Sequence, residues 1–492
     1  METTQYAPPI HGDLAAEVRE THTGVVALFG DTAYKAKKPV ITDFLDFSTA
    51  DLRDKACRRE VELNRRLAPD SYLGVGRFSP PQAGEPEPVI VMRRYPDSLR
   101  LASLVRNGAS VDAHLTAIAA LLARFHRAAV RGQSIDDEAT VGALSERWHE
   151  NLDELRRHVD VIIPRESLDA ITRLADQFLR GRGELFARRI TERRIVDGHG
   201  DLMAEDIFCT PDGPVLLDCL EFDDRLRYVD GIDDAAFLAM DLEHLGRTDL
   251  ADLFLAEYAE AADDPAPRAL MDFCVAYRAV VRAKVDCIRV GQGHPEAMSD
   301  AHRHTALALE RLRSATVQLI VIGGGPGTGK TTLAHALARR IGAQVISTDD
   351  VRQELQRSGA VSGRAGDLNE GLYAPDNVAK VYDEVLLRAS SLLSDGSTVI
   401  LDGTWRDQPL RERAHRLAIA TSSPLVDFTC SLPLREAQER IAARGPSASD
   451  ATPQIAAALS EFADGGRSFA IDTTRPLAES VEEAHRICCL AI

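Results

Sequence analysis

Residues 317–341, VQLIVIGGGPGTGKTTLAHALARRI, constrain the chain more than any other stretch: an apolar run, a glycine-dense turn and an amphipathic segment follow one another without a break. Gly324, Gly325, Pro326, Gly327, Thr328, Gly329, Lys330, Thr331 and Thr332 fit GxxxxGK[ST] in its required context, a buried strand before and a helix after. Glycines there let consecutive backbone N–H groups turn toward phosphate oxygens, and the helix N-terminus adds a favourable field. Lys330 is placed to reach β- and γ-phosphates, and the Thr331 hydroxyl to ligate Mg2+. Such a unit builds an open α/β sheet that takes its ligand at the carboxyl ends of the strands.

Two later strands supply acids at those ends. QVIS (344–347) runs into Thr348-Asp349-Asp350-Val351-Arg352, where a carboxylate can take a proton from a hydroxyl and an arginine can hold a phosphate. The alternative use of an aspartate there is as a helix cap. STVILDGTW (397–405) reads as a strand ending in Asp402, either an acid of the Mg2+ shell or an ordinary turn residue. In LREAQERIAARG, Arg440 and Arg444 stand four apart on one helical face, either a lid over the nucleotide or a solvated surface. The segment from about 317 to 492 resembles the P-loop kinase group that includes polynucleotide 5′-kinases, gluconate kinase-like enzymes and zeta toxins, and Asp349-Asp350-Val351-Arg352 matches the D-D-x-R pattern of the polynucleotide kinases. That resemblance implies Asp349 as general base, Arg352 as a substrate or phosphate contact, and Arg440 and Arg444 in a lid.

A chain of 492 residues exceeds what one core usually serves, so two domains are expected, 1–314 and 315–492. Upstream of the junction, VVALF (25–29), Gly30-Asp31 and AYKAK (33–37) read as strand, hairpin turn and strand, 51–67 as a helix, SPPQAGEPEP (79–88) as a surface loop, and VIVMRRY (89–95) as a strand. Helical periodicity fills about 98–190 and 232–313, separated by short strands around a Pro-Asp-Gly turn in 195–222.

That interlude carries a second set of groups suited to phosphoryl transfer. Asp201, in His199-Gly200-Asp201-Leu202, can accept a hydroxyl proton. Asp206, five residues later, can hold Mg2+, and Asp218 can bridge the metal to ATP phosphates. A lysine that grips phosphates needs a carboxylate to aim it, which pairs Lys35 with Glu60; Lys37 and Glu62 leave open a register shifted by two. The stretch from about 20 to 312 resembles the aminoglycoside phosphotransferase family, small-molecule kinases with a protein-kinase-like fold. HGDLMAEDIF stands where that family shows HGDLxxxN, with Asp206 replacing asparagine, and YVDGIDDAAFLAMDL stands where it shows gDPxxDLA. Asp230 and Asp234 are then expected to brace the catalytic loop or cap a helix, and His199 to be a structural hydrogen-bonding hub.

The expected fold is therefore an α+β protein-kinase-like domain followed by an α/β P-loop NTPase domain. The expected function is ATP- and Mg2+-dependent transfer of the γ-phosphoryl group to hydroxyls of small molecules, with GTP as the alternative nucleotide. Two other readings stand beside it: a nucleotide-sensing pseudokinase regulating the P-loop unit, and a nucleic-acid 5′-hydroxyl kinase. The net charge of −18 divides into −14 before residue 315 and −4 after it, which argues against coating extended nucleic acid. No run approaches the ~18 apolar residues of a membrane span, so no membrane partner and a cytoplasmic location are expected. The eight cysteines form no CxxC pair and are expected to be reduced.

Overall fold

The computed structural model describes residues 17–20, 24–40, 46–79, 86–364, 370–443 and 468–492. Arg444 and most of the proline-rich loop therefore lie outside the described residues. The chain packs as two compact units, the first from 1–139 and 193–265, the second from 140–192 and 266–492.

The first unit opens with five strands, β1 (Glu17–Glu20), β2 (Gly24–Phe29), β3 (Thr32–Lys37), β4 (Tyr72–Phe78) and β5 (Glu87–Arg93). They form an antiparallel sheet in the order β1-β2-β3-β5-β4. Gly30, at φ +54°, takes the left-handed turn between β2 and β3. Between β3 and β4 the helix Ala50–Asn64 starts at Thr49, whose hydroxyl accepts from the Leu52 amide at 3.3 Å. It ends three residues before the boundary expected from the sequence and packs Cys57 and Val61 against Tyr72, Ile90 and Met92 of the sheet. After helix Asp112–Ala128 come β6 (Ile195–Asp197), β7 (Ile207–Thr210), β8 (Gly213–Leu216) and β9 (Tyr228–Asp230). They pair as two antiparallel ribbons, β6 with β9 and β7 with β8. Helix Gly231–His244 follows β9 and is buried on almost every side, so it forms the core on which the loop after β6 rests.

The second unit contains a wholly parallel sheet of β10 (Leu319–Gly323), β11 (Gln344–Ser347), β12 (Val399–Asp402), β13 (Leu425–Ser431) and β14 (Phe469–Asp472), ordered β11-β12-β10-β13-β14. β10 and β12 are buried at every position, as continuous apolar runs in a doubly covered parallel sheet must be. Alternation sends Leu319 and Val321 to one core, with Val385 and Leu401, and Ile320 and Ile322 to the other, with Leu333 and Phe428. The chain leaves β10 toward β11 and β12, then crosses to β13, so the switch in strand order falls between β10 and β13. Ligands of such sheets enter the crevice at that switch.

The helices Val141–Arg156, Arg165–Gly181, Gly183–Thr191, Arg268–Gly291 and Met298–Ser314 belong to this same unit, so the helix-to-strand junction near residue 314 lies inside it. Arg182 is 1% exposed; its Nη1 donates to the carbonyls of Gly181 at 2.7 Å and Thr421 at 3.1 Å, and its Nη2 to Ser423 Oγ at 3.1 Å. Burial lowers its pKa to about 10. Pro267 and Leu185 lie against Gly396. Among the described residues no helix is long and apolar enough to cross a membrane.

A methyl group at Gly181 would run into the Thr421 carbonyl oxygen, which is backbone and cannot swing aside. Gly181→Ala is therefore expected to lower the stability of the second unit by about 1–3 kcal/mol, the usual range for overpacking, read as a reduced urea midpoint with unchanged m-value.

Candidate active sites

In the second unit the phosphate loop is shaped by glycines at φ +144° (Gly324), +79° (Gly327) and +84° (Gly329). A Cβ at Gly327 would lie 2.5 Å from the Ala437 carbonyl oxygen, so this position also needs the missing side chain for space. Thr473 Oγ1 donates to the Thr328 carbonyl at 2.7 Å and ties the loop to the segment after β14. Lys330 is the first residue of helix Lys330–Ile341, and Thr331 Oγ1 donates to Asp402 Oδ2 at 2.7 Å.

Asp402 ends β12 and is 2% exposed. Burial raises its pKa, against the opposing pull of Lys330 and the Thr331 hydroxyl. Its second oxygen, Oδ1, is buried without a hydrogen-bond partner. A buried acceptor left open in this way is uncommon and marks a place where a cation or a ligand group belongs.

Asp349 lies in the first turn of helix Thr348–Arg357, but it is not the cap: Ser347 is, its hydroxyl accepting from the Asp349 amide at 3.3 Å. The Asp349 carboxylate is thus not spent on the cap, and it pairs with Arg352 Nη1 at 2.5 Å. Arg352 is 8% exposed, and its guanidinium stands 4.6 Å from the Tyr373 ring centre. Arg440 is exposed, donates to the Thr473 carbonyl at 3.0 Å, and has Nη1 3.5 Å from where a Cβ on Gly329 would sit. The fold therefore gathers the phosphate loop, Asp349, Arg352, Asp402 and Arg440 at one end of the sheet.

Sequence reasoning missed Trp405 and Arg411. The strand ends at Asp402, as expected, and Trp405 just beyond it, fully buried at φ +46°, stands edge-on to Tyr382 with ring centres 4.8 Å apart. Arg411 holds this turn by donating to the Trp405 carbonyl while pairing with Asp427 at 2.8 Å and Thr429 Oγ1 at 3.2 Å. A non-glycine residue at positive φ beside a site is strain that the surroundings must hold in place.

In the first unit, Lys35 Nζ lies 2.9 Å from Glu60 Oε1 and 2.5 Å from Asp218 Oδ1. Glu62 is turned outward to Arg59, so the shifted pairing through Glu62 is not formed. Lys37 does take part: it lies 2.7 Å from Glu60 Oε2 and pairs with Glu221, a residue the sequence did not single out. Asp218 sits at φ +65°, where Tyr72 Oη accepts from its amide at 3.1 Å and Asn64 Oδ1 accepts from the Cys219 amide at 2.9 Å.

The loop after β6 is pinned from below. Asp234 Oδ2 accepts from the His199 amide at 2.7 Å and meets His126 Nε2 at 2.8 Å, while Oδ1 accepts from the Gly200 amide at 2.8 Å. Burial alone would raise the Asp234 pKa, but His126, His199 and these bonds hold it well below the ordinary carboxylate range. His199 is fully buried, with Nε2 3.1 Å from the Leu217 carbonyl, and Asp230 caps the next helix through the Ile232 amide at 2.9 Å. Asp241 accepts from the Ala204 amide at 2.8 Å and fixes the far end of the loop.

Burial, Asp218 and Asp201 push the Asp206 carboxyl well above the usual range. Burial would do the same to Asp218, yet Lys35 outweighs it and keeps Asp218 low. Among the described residues no three His, Cys, Asp or Glu side chains form a ready-made metal cluster. Mg2+ does not require one, since it is commonly held by one or two carboxylates together with phosphate oxygens and water. Thr331 with Asp402 fits that donor set in the second unit, and Asp206 with Asp218 fits it in the first, where a dication would relieve the crowding of acids.

The first unit thus sets a five-stranded antiparallel sheet beside helices and two short ribbons, and the second holds a P-loop kinase-like parallel sheet. An AAA-domain family model matches residues 319–465. The chain is 54% identical over 487 residues to the Mycobacterium tuberculosis protein Rv2004c, covering 99% of this chain and 98% of that one, and it belongs to the family of that protein. A Corynebacterium diphtheriae shikimate kinase is 30% identical over 138 residues, 26% of this chain and 76% of that enzyme. A solved GDP and kanamycin complex of APH(2")-IIia aligns at TM-score 0.40 and 14% identity, covering 59% of this chain and 93% of that one.

Because Asp234 ionises more readily folded than unfolded, it contributes stability above the unfolded carboxylate pKa of about 3.9 and loses it as pH falls toward the folded value. Asp234→Asn breaks a buried pair and is expected to cost the first unit about 3–5 kcal/mol at pH 7. The variant should also show a flatter loss of stability below about pH 4, checked by denaturant unfolding at pH 7 and pH 3.

Proposed function

We propose that the protein is an ATP- and Mg2+-dependent phosphotransferase with two sites, each moving a γ-phosphoryl group to a hydroxyl of a small molecule. The kinase-like module is taken as 1–314 and the P-loop kinase module as 315–492. The observation that carries the proposal is the matched pair of phosphate-gripping arrangements: Lys35 held between Glu60 and Asp218, and Lys330 and Thr331 placed by the glycine loop beside Asp402.

In the P-loop site Lys330 and the loop amides bind the phosphates, Asp349 takes the acceptor proton, Arg352 contacts the acceptor or its phosphate, and Arg440 neutralises developing charge. In the kinase-like site Lys35, aimed by Glu60, orients the phosphates, and Asp201 takes the proton. Mg2+, when bound, screens the charge between the phosphate oxygens. ATP is the nucleotide proposed for both sites, with GTP as the alternative.

A second reading, a nucleotide-sensing first unit that regulates the second, is favoured by the aspartate at 206, which crowds a third acid beside Asp201 and Asp218. A nucleic-acid 5′-end as acceptor is favoured by the Asp349–Arg352 pair alone, and the net charge of −4 after residue 314 opposes a long polymer.

The test is ATP turnover and acceptor labelling in a fractionated metabolite mixture by wild type, Lys330→Ala and Asp201→Asn. Each substitution is expected to remove a different labelled product, with its rate falling at least about 100-fold, the scale on which lost acid–base catalysis reads out. Turnover indifferent to both substitutions would end the phosphotransferase reading. Loss of every product in Lys330→Ala with none lost in Asp201→Asn would leave the sensor reading for the first unit.

A further inference from the structure

The first unit contains a second lysine in the neighbourhood of the phosphate-binding one, and it is the more deeply placed of the two. The Lys37 side chain is 2% exposed, with Nζ 5.1 Å from the centre of the Phe47 ring, whereas the Lys35 side chain keeps 16% of its surface open. Both lie on β3 two residues apart and therefore on one face of the strand. Both meet Glu60, which is completely buried: Lys35 takes Oε1 at 2.9 Å and Lys37 takes Oε2 at 2.7 Å. Each lysine then has a further acid from the segment after β8, Asp218 for Lys35 and Glu221 for Lys37. The charges alternate along one chain, Asp218–Lys35–Glu60–Lys37–Glu221.

We infer that Lys37, anchored by Glu221, is a positioning residue for the nucleotide phosphates: it occupies one oxygen of Glu60 so that only the other is offered to Lys35. A carboxylate with two oxygens and a single lysine partner can turn both toward that lysine and draw it back from the cleft. With Oε2 occupied, Glu60 steers Lys35 through one contact and leaves the remaining ammonium protons of Lys35 for Asp218 and phosphate oxygens. The second rung also ties β3, helix Ala50–Asn64 and the segment 218–221 together through buried charge, so the lysine–glutamate contact is assembled before nucleotide arrives. Leaving Glu60 and Glu221 buried without Lys37 would put two acids close together in a poorly solvated place, which strongly opposes that geometry.

The inference rests on the reading of the first unit as a nucleotide site, and its test separates the two. Equilibrium binding of MgATP is measured on the full chain carrying Lys330→Ala, which removes the main phosphate grip of the P-loop. Against that parent, Lys37→Met is expected to weaken binding about tenfold, and Glu221→Gln, which keeps the side-chain shape, about threefold, while Lys35→Met weakens it more than either. Because Lys37 acts through Lys35, adding Lys37→Met to Lys35→Met should change affinity by less than about twofold, a non-additivity that general loosening of the unit would not produce. Binding by Lys37→Met or by Glu221→Gln within twofold of the parent, or losses that multiply in the double variant, would overturn the role of Lys37 and leave the site itself standing. A parent that binds no MgATP, or that binds it equally well with Lys35→Met, would overturn the nucleotide site and the inference with it.

Discussion

A charge removed from water has to meet its opposite or accept several hydrogen bonds, and both sites are organised around that requirement. Glu60 is wholly buried, and two lysines hold it there. Asp234 is equally buried, and two backbone amides with His126 hold it. From these two carboxylates the geometry of the first unit follows. One fixes the lysine that faces the cleft, and the other fixes the loop that presents Asp201. Asp402 is the counterpart in the second unit: one oxygen accepts from Thr331, and the other has no hydrogen-bond partner.

The contrast between these acids separates structure from chemistry. Asp234 accepts from two loop amides and Asp241 from one, so they position the loop. Burial raises the pKa of Asp206 and Asp402, with Asp218 and Asp201 adding to it at Asp206, while Lys35 holds Asp218 low, so a cation would ease Asp206 and Asp402. Positive φ follows the same division, with Asp218 and Trp405 held in strained backbone at the edges of the two sites. Distant partners, Tyr72 and Asn64, hold the first, and Arg411, six residues on and itself tied to β13, holds the second.

Much of this is legible in the sequence where the chemistry is local. The phosphate loop is, because glycine spacing, Lys330 and Thr331 are consecutive and flanked by the strand and helix they need. The β2–β3 hairpin is, through Gly30-Asp31, and the bracing role of Asp234 is implied by the resemblance of YVDGIDDAAFLAMDL to gDPxxDLA. What escapes the sequence is pairing across distance. Glu221 meets Lys37 from 184 residues away, and nothing in DCLEF marks it. Arg411 finds its partners on β13, and Trp405 stands against Tyr382, 23 residues earlier. The compact units are the clearest case. Helices 141–191 and 268–314 look continuous with the kinase-like region in sequence, yet they pack with the parallel sheet through Gly181, Arg182 and Pro267. Packing of a glycine against a carbonyl 240 residues later has no local signature.

The central claim is that one chain carries two separate nucleotide sites. Counting MgATP bound per chain at saturation, by equilibrium dialysis of the full protein, addresses it directly. Two nucleotides per chain are expected, one of them lost in Lys330→Ala and the other in Lys35→Met. A single nucleotide per chain that disappears with Lys330→Ala and is untouched by Lys35→Met would contradict it.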